Sequence, residues 1–160
     1  MIVYHGGTDV IDVPRIITAE IGRDFGPGFY TTDILEQAVK WAKRQARFRK
    51  KAKAVLNIYE FDDAAFKILK VKAFEGYTMD WLDMVVACRK DSSFLHEYDL
   101  VTGKIADDDV GETVQTVVDG IAPKDFALSK LTFMSANNQI CFSTYKALEY
   151  LKFISAERMQ

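Results

Sequence analysis

The sequence FGPGFYTT occupies residues 25–32 of this chain. Its two glycines and its proline predict a tight approach of the backbone to another group, followed by a short strand at 29–31. Upstream, IVYHG at residues 2–6 predicts a strand of apolar and aromatic residues that ends in a pair of glycines. The residues between them, 8–23, predict a loop.

A helix is predicted directly after this stretch. Asp33 and Glu36 have the spacing of a capping box, in which two side chains bond the first free amides of a helix. Behind them apolar residues recur at helical spacing. They are Leu35, Ala38, Val39, Ala42 and Ala46. One face of this helix is therefore expected to pack inward.

The remainder of the chain predicts short strands and helices without a regular alternation. Two strands are predicted at 55–61 and 68–74 around a turn at Asp62-Asp63, followed by a helix through 81–86 and a strand in 98–109 that ends in an acidic turn. A helix through 110–118 is expected to end at Gly120 and Pro123. A strand at 139–143 and a closing helix at 143–154, with Ala147, Leu148 and Leu151 inward, complete the prediction. This irregular order is typical of the α+β class. The length predicts a single domain over residues 1–160.

The composition narrows the function classes. Hydrophobic residues make up 49% and charged residues 28%, and the net charge of -2 predicts no overall attraction to nucleic acid or to an anionic membrane. The lack of a secretory leader and of a long apolar run predicts a cytoplasmic protein without a membrane partner. Cys88 and Cys141 stand in apolar runs and are expected to be buried. The spacing of cysteines, histidines and acids predicts no metal site.

Three residues carry the candidate chemistry. His5 stands at a strand end before two glycines, Tyr30 ends a glycine-rich run, and Trp41 lies on the predicted helix. A histidine can hydrogen-bond a ribose hydroxyl, and a glycine leaves its backbone N–H and C=O open to an amide group. Two aromatic side chains can hold a flat ring between them. These are the needs of a nicotinamide and its ribose, so the sequence predicts an NAD⁺ site.

In their order and separation, YHG, FGPGFYTT and the helix with Trp41 resemble the ADP-ribosyltransferase fold of the poly(ADP-ribose) polymerase and diphtheria-toxin class. That class is named for a His, a Tyr and a Glu on three separate strands. The chain is more similar still to uncharacterised bacterial ADP-ribosyltransferase-like domains, in which VTGKIADDD-like and NNQICFST-like blocks recur. The resemblance covers nearly the whole chain. It implies a split β-sheet core with flanking helices, and NAD⁺ as the substrate.

The resemblance also implies a role for each matching residue. His5 would bond the adenosine ribose, and the backbone of Gly6 would hold the nicotinamide amide. Tyr30 would stack on the nicotinamide ring, with Trp41 as the second stacking aromatic. Ala38 stands where the polymerases have a serine that also bonds the amide, so that contact is expected to be missing.

Gln139 stands where the family's catalytic glutamate is expected. A glutamine keeps the hydrogen bond to the nicotinamide ribose but supplies no negative charge to an oxocarbenium-like transition state. Loss of one such electrostatic group typically lowers a rate by about 10²- to 10³-fold. The sequence therefore predicts NAD⁺ binding with slow transfer, unless another carboxylate replaces the glutamate. The candidates are Glu149, Glu97 and the acidic run Asp107-Asp108-Asp109.

Each site residue also has a purely structural interpretation. His5 can be a strand-end histidine that is satisfied within the fold, as a lone histidine usually is. Tyr30 and Trp41 can be ordinary core aromatics, and Gln139 can cap a turn. Only the ordered set of these residues favours an NAD⁺ site.

Basic residues are candidates for anionic groups at two places. Arg15 and Arg23, in the loop before FGPGFYTT, either meet the pyrophosphate or are solvated charges. Residues 40–53 hold a dense run of Lys and Arg. Such a run is usually a solvated helix face, or else it attracts an acidic partner or a nucleic-acid substrate. His96 has no companion and no predicted role.

The leading functional hypothesis is a mono-ADP-ribosyltransferase that passes ADP-ribose from NAD⁺ to a protein or nucleic-acid acceptor. Acceptor specificity is expected from residues 62–135, which differ most from the polymerases. The rival hypothesis, which Gln139 favours, is a catalytically weak or inactive module that binds NAD⁺ or a partner. A third is a toxin that a neighbouring antitoxin holds in check.

Overall fold

The computed structural model describes residues 1–18, 22–49, 53–106, 108–131 and 137–159. In this part of the chain, seven strands form two β-sheets and six helices pack around them. The α+β class predicted from the sequence is therefore confirmed. None of the described helices is long and apolar enough to cross a membrane.

The strands divide into a three-stranded sheet and a four-stranded sheet. They are β1 Ile2–Gly7, β2 Phe29–Thr31, β3 Ala54–Phe61, β4 Val71–Ala73, β5 Leu100–Gly103, β6 Gln139–Phe142 and β7 Leu151–Met159. The first sheet has the order β1-β3-β7 and the second β2-β6-β5-β4, with β4 and β5 parallel and all other pairs antiparallel. Tyr4 and Thr32 exchange two backbone hydrogen bonds, of 2.8 and 2.9 Å, so the two sheets meet at β1 and β2.

Helices cover the outer faces of both sheets. They are α1 Leu35–Phe48, α2 Ala65–Ile68, α3 Met79–Lys90, α4 Asp108–Val118, α5 Lys124–Leu131 and α6 Tyr145–Leu148. Helix α1 packs on β1 and β3, whereas α3, α4 and α5 pack together beside the second sheet. One apolar cluster, which includes Phe29 and Phe142, involves both sheets, and a second, which includes Trp81 and Cys141, joins the second sheet to α3–α5.

FGPGFYTT makes the close backbone approach that its glycines predict. A side chain at Gly28 would collide with Cys141 on β6, which explains why only hydrogen fits there. Gly26 has a φ of 72°, in the left-handed region that glycine adopts without strain. The loop is held by His96, whose Nε2 lies 2.9 Å from the carbonyl oxygen of Phe25. His96 therefore has a structural contact that the sequence did not predict.

The helix predicted after this stretch is confirmed as α1, but the predicted capping box is wrong. The N-cap residue is Ile34, which has no side-chain cap. Asp33 instead accepts a hydrogen bond from the Asn138 side chain at 3.0 Å. Ala38 and Ala42 are buried as expected, whereas Leu35, predicted to face inward, is exposed.

The closing helix predicted at 143–154 is also wrong. Only α6, with Ala147 and Leu148 buried, is helical there. The chain then enters β7, which pairs antiparallel with β3 along its length. Burial along β7 alternates at its start, the period of a strand rather than of a helix. The tertiary pairing with β3 thus overrides the short helical pattern.

Smaller corrections concern the middle of the chain. The strand predicted at 68–74 is limited to β4, because α2 occupies the residues before it. The acidic turn predicted at the end of β5 opens α4 instead: Asp108 begins the helix, and Asp107 lies outside the described residues. Carboxylates in a first helical turn are favourable because they face the free amides. Helix α5 was not predicted.

Candidate functional site

The predicted site residues His5, Tyr30 and Gln139 lie on three neighbouring strands. His5 is on β1, Tyr30 on β2 and Gln139 on β6. β1 meets β2 at the junction of the two sheets, and Tyr30 pairs with Cys141 of β6. Tyr30 and Gln139 are therefore diagonal neighbours on one face of the second sheet. The three positions that the sequence selected converge at this junction.

His5 connects the two sheets through its ring. Its Nδ1 lies 2.7 Å from the backbone carbonyl oxygen of Tyr30. A carbonyl only accepts, so Nδ1 carries the proton, and in the neutral ring Nε2 is the acceptor. The ring also stacks on Phe29, with centroids 4.7 Å apart. A Cβ at Gly7 would lie 3.4 Å from Nε2, so this glycine leaves space beside the acceptor atom.

Gly6 is buried between β3 and α1. It pairs with Leu56 in the first sheet, and a Cβ on it would collide with the carbonyl oxygen of Ala38. Position 6 must therefore be glycine for α1 to approach β1 this closely. Ala38, the position of the polymerase serine, is part of this helix contact.

Tyr30 is held by its hydroxyl. The hydroxyl donates to the carbonyl of Gly26 at 2.7 Å and accepts from the amide of Phe25 at 3.0 Å. Burial, aided by the nearby Cys141 and Asp24, raises the pKa of Tyr30 well above its ordinary value. The guanidinium of Arg23 lies over the ring, 5.0 Å from its centroid. One face of the Tyr30 ring therefore carries a cation–π contact.

Gln139 is buried, and its side-chain amide has a fixed orientation. Nε2 donates to Oδ2 of Asp24 and to the backbone carbonyl of Lys104, both at 2.9 Å. Since both partners are acceptors, the amide nitrogen must face them and Oε1 must point elsewhere. Oε1 accepts no hydrogen bond from any described residue, and no buried side-chain oxygen of those residues lacks a partner, so Oε1 is open to solvent or to a ligand.

The carboxylate beside Gln139 belongs to Asp24, which the sequence did not single out. Oδ1 of Asp24 accepts from Nε and Nη2 of Arg89, at 3.1 and 2.6 Å, and Oδ2 accepts from the amide of Ala106 at 2.8 Å. The pair is nearly enclosed, with side chains 7% (Asp24) and 14% (Arg89) exposed. Sixty-five residues separate the two partners in the chain, and no sequence spacing signals such a contact.

The candidate replacement carboxylates lie elsewhere. Glu149 is exposed at the end of α6, and Glu97 is exposed and paired with Lys70 at 2.5 Å. Asp109 is exposed in the first turn of α4, and Asp107 lies outside the described residues. Among the described residues, Asp24 is the carboxylate that contacts Gln139.

Two asparagines before Gln139 were also missed. Asn137 accepts from the amide of Ile105 at 3.0 Å and donates to the Tyr77 hydroxyl at 3.0 Å. The backbone of Asn138 exchanges two hydrogen bonds with the Gln37 side chain of α1, at 2.7 and 3.0 Å. The residues at the start of β6 are thereby hydrogen-bonded to α1, through Gln37, and to the segment after β5, through Ile105.

Trp41 and Arg15 lie apart from these contacts. Trp41 is 42% exposed on α1, and the guanidinium of Arg44 lies 5.7 Å from the centre of its ring. Its predicted role as a second stacking ring stays a prediction. Arg15 is exposed in the loop between β1 and β2. Cys88 and Cys141 are free and buried, as predicted.

One comparison with known proteins gives a match. The model of a family described as "Protein of unknown function (DUF3990)" matches residues 1–153. No curated protein and no solved structure matches the chain.

Proposed function

Because the chain belongs to the DUF3990 family, whose function is unknown, we propose a function from the residues at the sheet junction. The protein binds NAD⁺ there and cleaves its nicotinamide–ribose bond as an ADP-ribosyltransferase-like enzyme. One observation carries the proposal: His5, Tyr30 and Gln139, which the resemblance selects, come from three strands that are neighbours at the junction of two sheets. A two-sheet core of this kind is what the resemblance implies.

His5 supplies a fixed hydrogen-bond acceptor. Since its Nδ1–H is used by the Tyr30 carbonyl, the ring is held in one orientation and one tautomer. In the proposed complex Nε2 accepts from a ribose hydroxyl, and Gly7 places no Cβ next to this nitrogen. The chain's own contacts thus prepare this residue for a sugar before any ligand arrives.

Gln139 supplies a second acceptor of fixed direction. Its amide nitrogen is held by Asp24 and Lys104, so Oε1 is the atom that can accept from a hydroxyl of the nicotinamide ribose. When the glycosidic bond breaks, its electron pair stays on the nicotinamide nitrogen and positive charge develops on the ribose. The dipole of the Gln139 carbonyl stabilises this charge less than a carboxylate would. Transfer is therefore slow.

Asp24 does not restore the missing charge. Its carboxylate is neutralised by the two hydrogen bonds from Arg89 and takes two more from Ala106 and Gln139. All of its acceptor capacity is directed into the fold. This observation favours a second candidate function, a module that binds NAD⁺ without transferring ADP-ribose.

Arg23 covers the Tyr30 ring in this structure. Its guanidinium lies where a flat ring would stack on Tyr30. A nicotinamide that enters there displaces the guanidinium, which is then near enough to meet the pyrophosphate. Of the two loop arginines, Arg23 is thus better placed than the exposed Arg15 to contact the pyrophosphate.

Calorimetric titration with NAD⁺ tests the proposal, with free nicotinamide measured in the same samples. His5→Ala and Gln139→Ala are expected to weaken NAD⁺ binding, each by about tenfold, the value of one lost hydrogen bond to a polar ligand. Gln115→Ala, which removes an exposed glutamine of α4, is the control and is expected to bind as the parent does. Unfolding curves of each variant separate lost binding from lost folding.

The outcomes separate the candidate functions. Nicotinamide release that His5→Ala abolishes supports the enzyme, and release coupled to growth arrest on expression supports a toxin. Binding without release supports the non-catalytic module. Absence of NAD⁺ binding by a folded parent protein overturns both.

A further inference from the structure

The segment that covers the second half of α1 and the residues after it has a charge opposite to that of the rest of the sequence, and Lys40, Lys43, Arg44 and Arg47 of this segment lie on α1. Residues 40–53 hold eight of the chain's 21 Lys and Arg and no Asp or Glu. The remaining residues therefore contain 13 basic and 23 acidic side chains. The near-neutral net charge hides this separation. A basic surface on an acidic protein attracts polyanions to one place.

Exposed aromatic rings lie along the edge of this basic face. Gln37, Trp41, Arg44 and Phe48 are spaced by four, three and four residues, so they form one stripe along α1. Phe48 is 73% exposed, so its ring is accessible to a ligand. Beside the stripe, a surface depression of about 490 Å³ is lined by Lys40, Lys43, Arg44, Arg47 and Phe48.

We propose that this surface of α1 binds single-stranded nucleic acid. Lysines and arginines contact successive phosphates, which supplies most of the affinity of such sites. Phe48 provides an open ring on which an unpaired base stacks. A surface that combines cations with exposed aromatic rings is suited to a flexible strand whose bases are unpaired. An acidic peptide would use the cations and leave Phe48 in water.

The packing of α1 argues against a membrane as the occupant. A helix that lies on a bilayer inserts its apolar face. Here that face, with Ala38 and Ala42, is buried against Gly6 of β1. The charged face and the two rings are what remains for a ligand.

Residues at or next to both ends of the stripe are hydrogen-bonded to the rest of the fold. At one end, Gln37 is bonded to the backbone of Asn138, the neighbour of Gln139. At the other, Nη1 of Arg49 donates to the Thr8 hydroxyl at 3.0 Å, and Thr8 follows β1. These contacts attach α1 to the strands that carry His5 and Gln139. The binding itself does not depend on the NAD⁺ chemistry proposed above.

Fluorescence anisotropy with a labelled oligothymidine of about 15 nucleotides, the upper range of single-strand site sizes, tests the inference. Binding is expected at low salt and is weakened by added salt. Lys43→Gln combined with Arg47→Gln should lower the slope of log K against log salt by about 1.4, since each single-strand phosphate contact contributes about 0.7. Lys67→Gln combined with Lys90→Gln, exposed lysines on α2 and α3, makes the same change in net charge and should leave the slope unchanged.

A second pair of variants tests the stacking. Phe48→Ala should weaken oligothymidine binding about fivefold or more. Phe126→Ala, on α5, removes another half-exposed ring with a lysine over it, and should change affinity less than twofold. All positions are exposed, and circular dichroism checks that the variants fold.

Three results would overturn the inference. The first is that the folded parent shows no saturable binding of oligothymidine. The second is that the α1 pair and the control pair lower the salt slope equally. The third is that Phe48→Ala binds oligothymidine as tightly as the parent while polyglutamate displaces the oligonucleotide. The last would assign α1 to an acidic protein instead. Because the assay contains no NAD⁺, failure of the proposed enzyme activity leaves this test unaffected.

Discussion

The side-chain amide of Gln139 lies 2.9 Å from the carboxylate of Asp24, and this contact joins β6 to the loop before β2. The same carboxylate binds Arg89 of α3 and the amide of Ala106. Gln139, the residue that the sequence resemblance selects, is thus also a member of a buried polar network. Its orientation is set by the fold and not by a ligand.

Asp24→Asn should destabilise the protein by about 3 kcal/mol, because it leaves the guanidinium of Arg89 buried without its counter-ion. Urea unfolding of parent and variant measures the change. The exposed pair of Lys124 and Asp83, 2.6 Å apart, provides the control. Asp83→Asn should change the free energy of unfolding by less than about 1 kcal/mol. Equal effects at the two sites would mean that burial of the Asp24 pair has no energetic consequence.

FGPGFYTT and the helix after it could be predicted because their signals are local. Gly28 is glycine because Cys141 lies against it, and the apolar spacing of α1 reflects contact with β1. Such requirements are visible in the residue type at the position itself. His5 and Tyr30 were selected from such local signals, whereas Gln139 was selected from the resemblance.

Other features left no local trace. Asp24 contacts Arg89 across 65 positions, and neither neighbourhood has a spacing that indicates a partner. The start of β7, residues 151–154, was predicted as part of a helix because Ala147 and Leu148 are followed by Leu151 at helical spacing. Pairing with β3 decides the outcome there, and that pairing joins distant parts of the chain.

Gly6→Ala should destabilise the protein by about 1–3 kcal/mol, the usual effect of an added methyl group in a tightly packed contact. The new Cβ would collide with backbone atoms of α1, which cannot turn aside as a side chain can. Gly7→Ala is the matched control, since its Cβ would meet only the His5 ring, at 3.4 Å. Thermal unfolding of the two variants should therefore give a clear loss for position 6 and a small one for position 7. The reverse order would contradict the packing described for β1 and α1.

Gln37→Ala should lower the free energy of unfolding by about 1–2 kcal/mol, because it removes both hydrogen bonds between α1 and the backbone of Asn138. Gln115→Ala removes an exposed side-chain hydrogen bond to Asp119, the residue after α4, and should lower the free energy of unfolding only slightly. Amide hydrogen exchange at the start of β6 gives a local measurement. Amides at the start of β6 should exchange faster in the Gln37 variant alone. Unchanged exchange would show that the two hydrogen bonds from Gln37 do not stabilise this strand.

The thiol of Cys141 should make stability fall at alkaline pH. Burial raises its pKa from 9.0 to about 11, so the folded protein keeps the proton that the unfolded chain releases. Since the unfolded state then binds fewer protons, the free energy of unfolding falls as pH rises from 9 towards 11. The contribution of this one thiol between pH 9 and pH 10 is about 1 kcal/mol. Urea unfolding at the two pH values should show a smaller fall for Cys141→Ala than for the parent, whatever the variant loses at neutral pH through the cavity. An equal fall in both proteins would mean that Cys141 ionises as readily in the folded state as in the unfolded one.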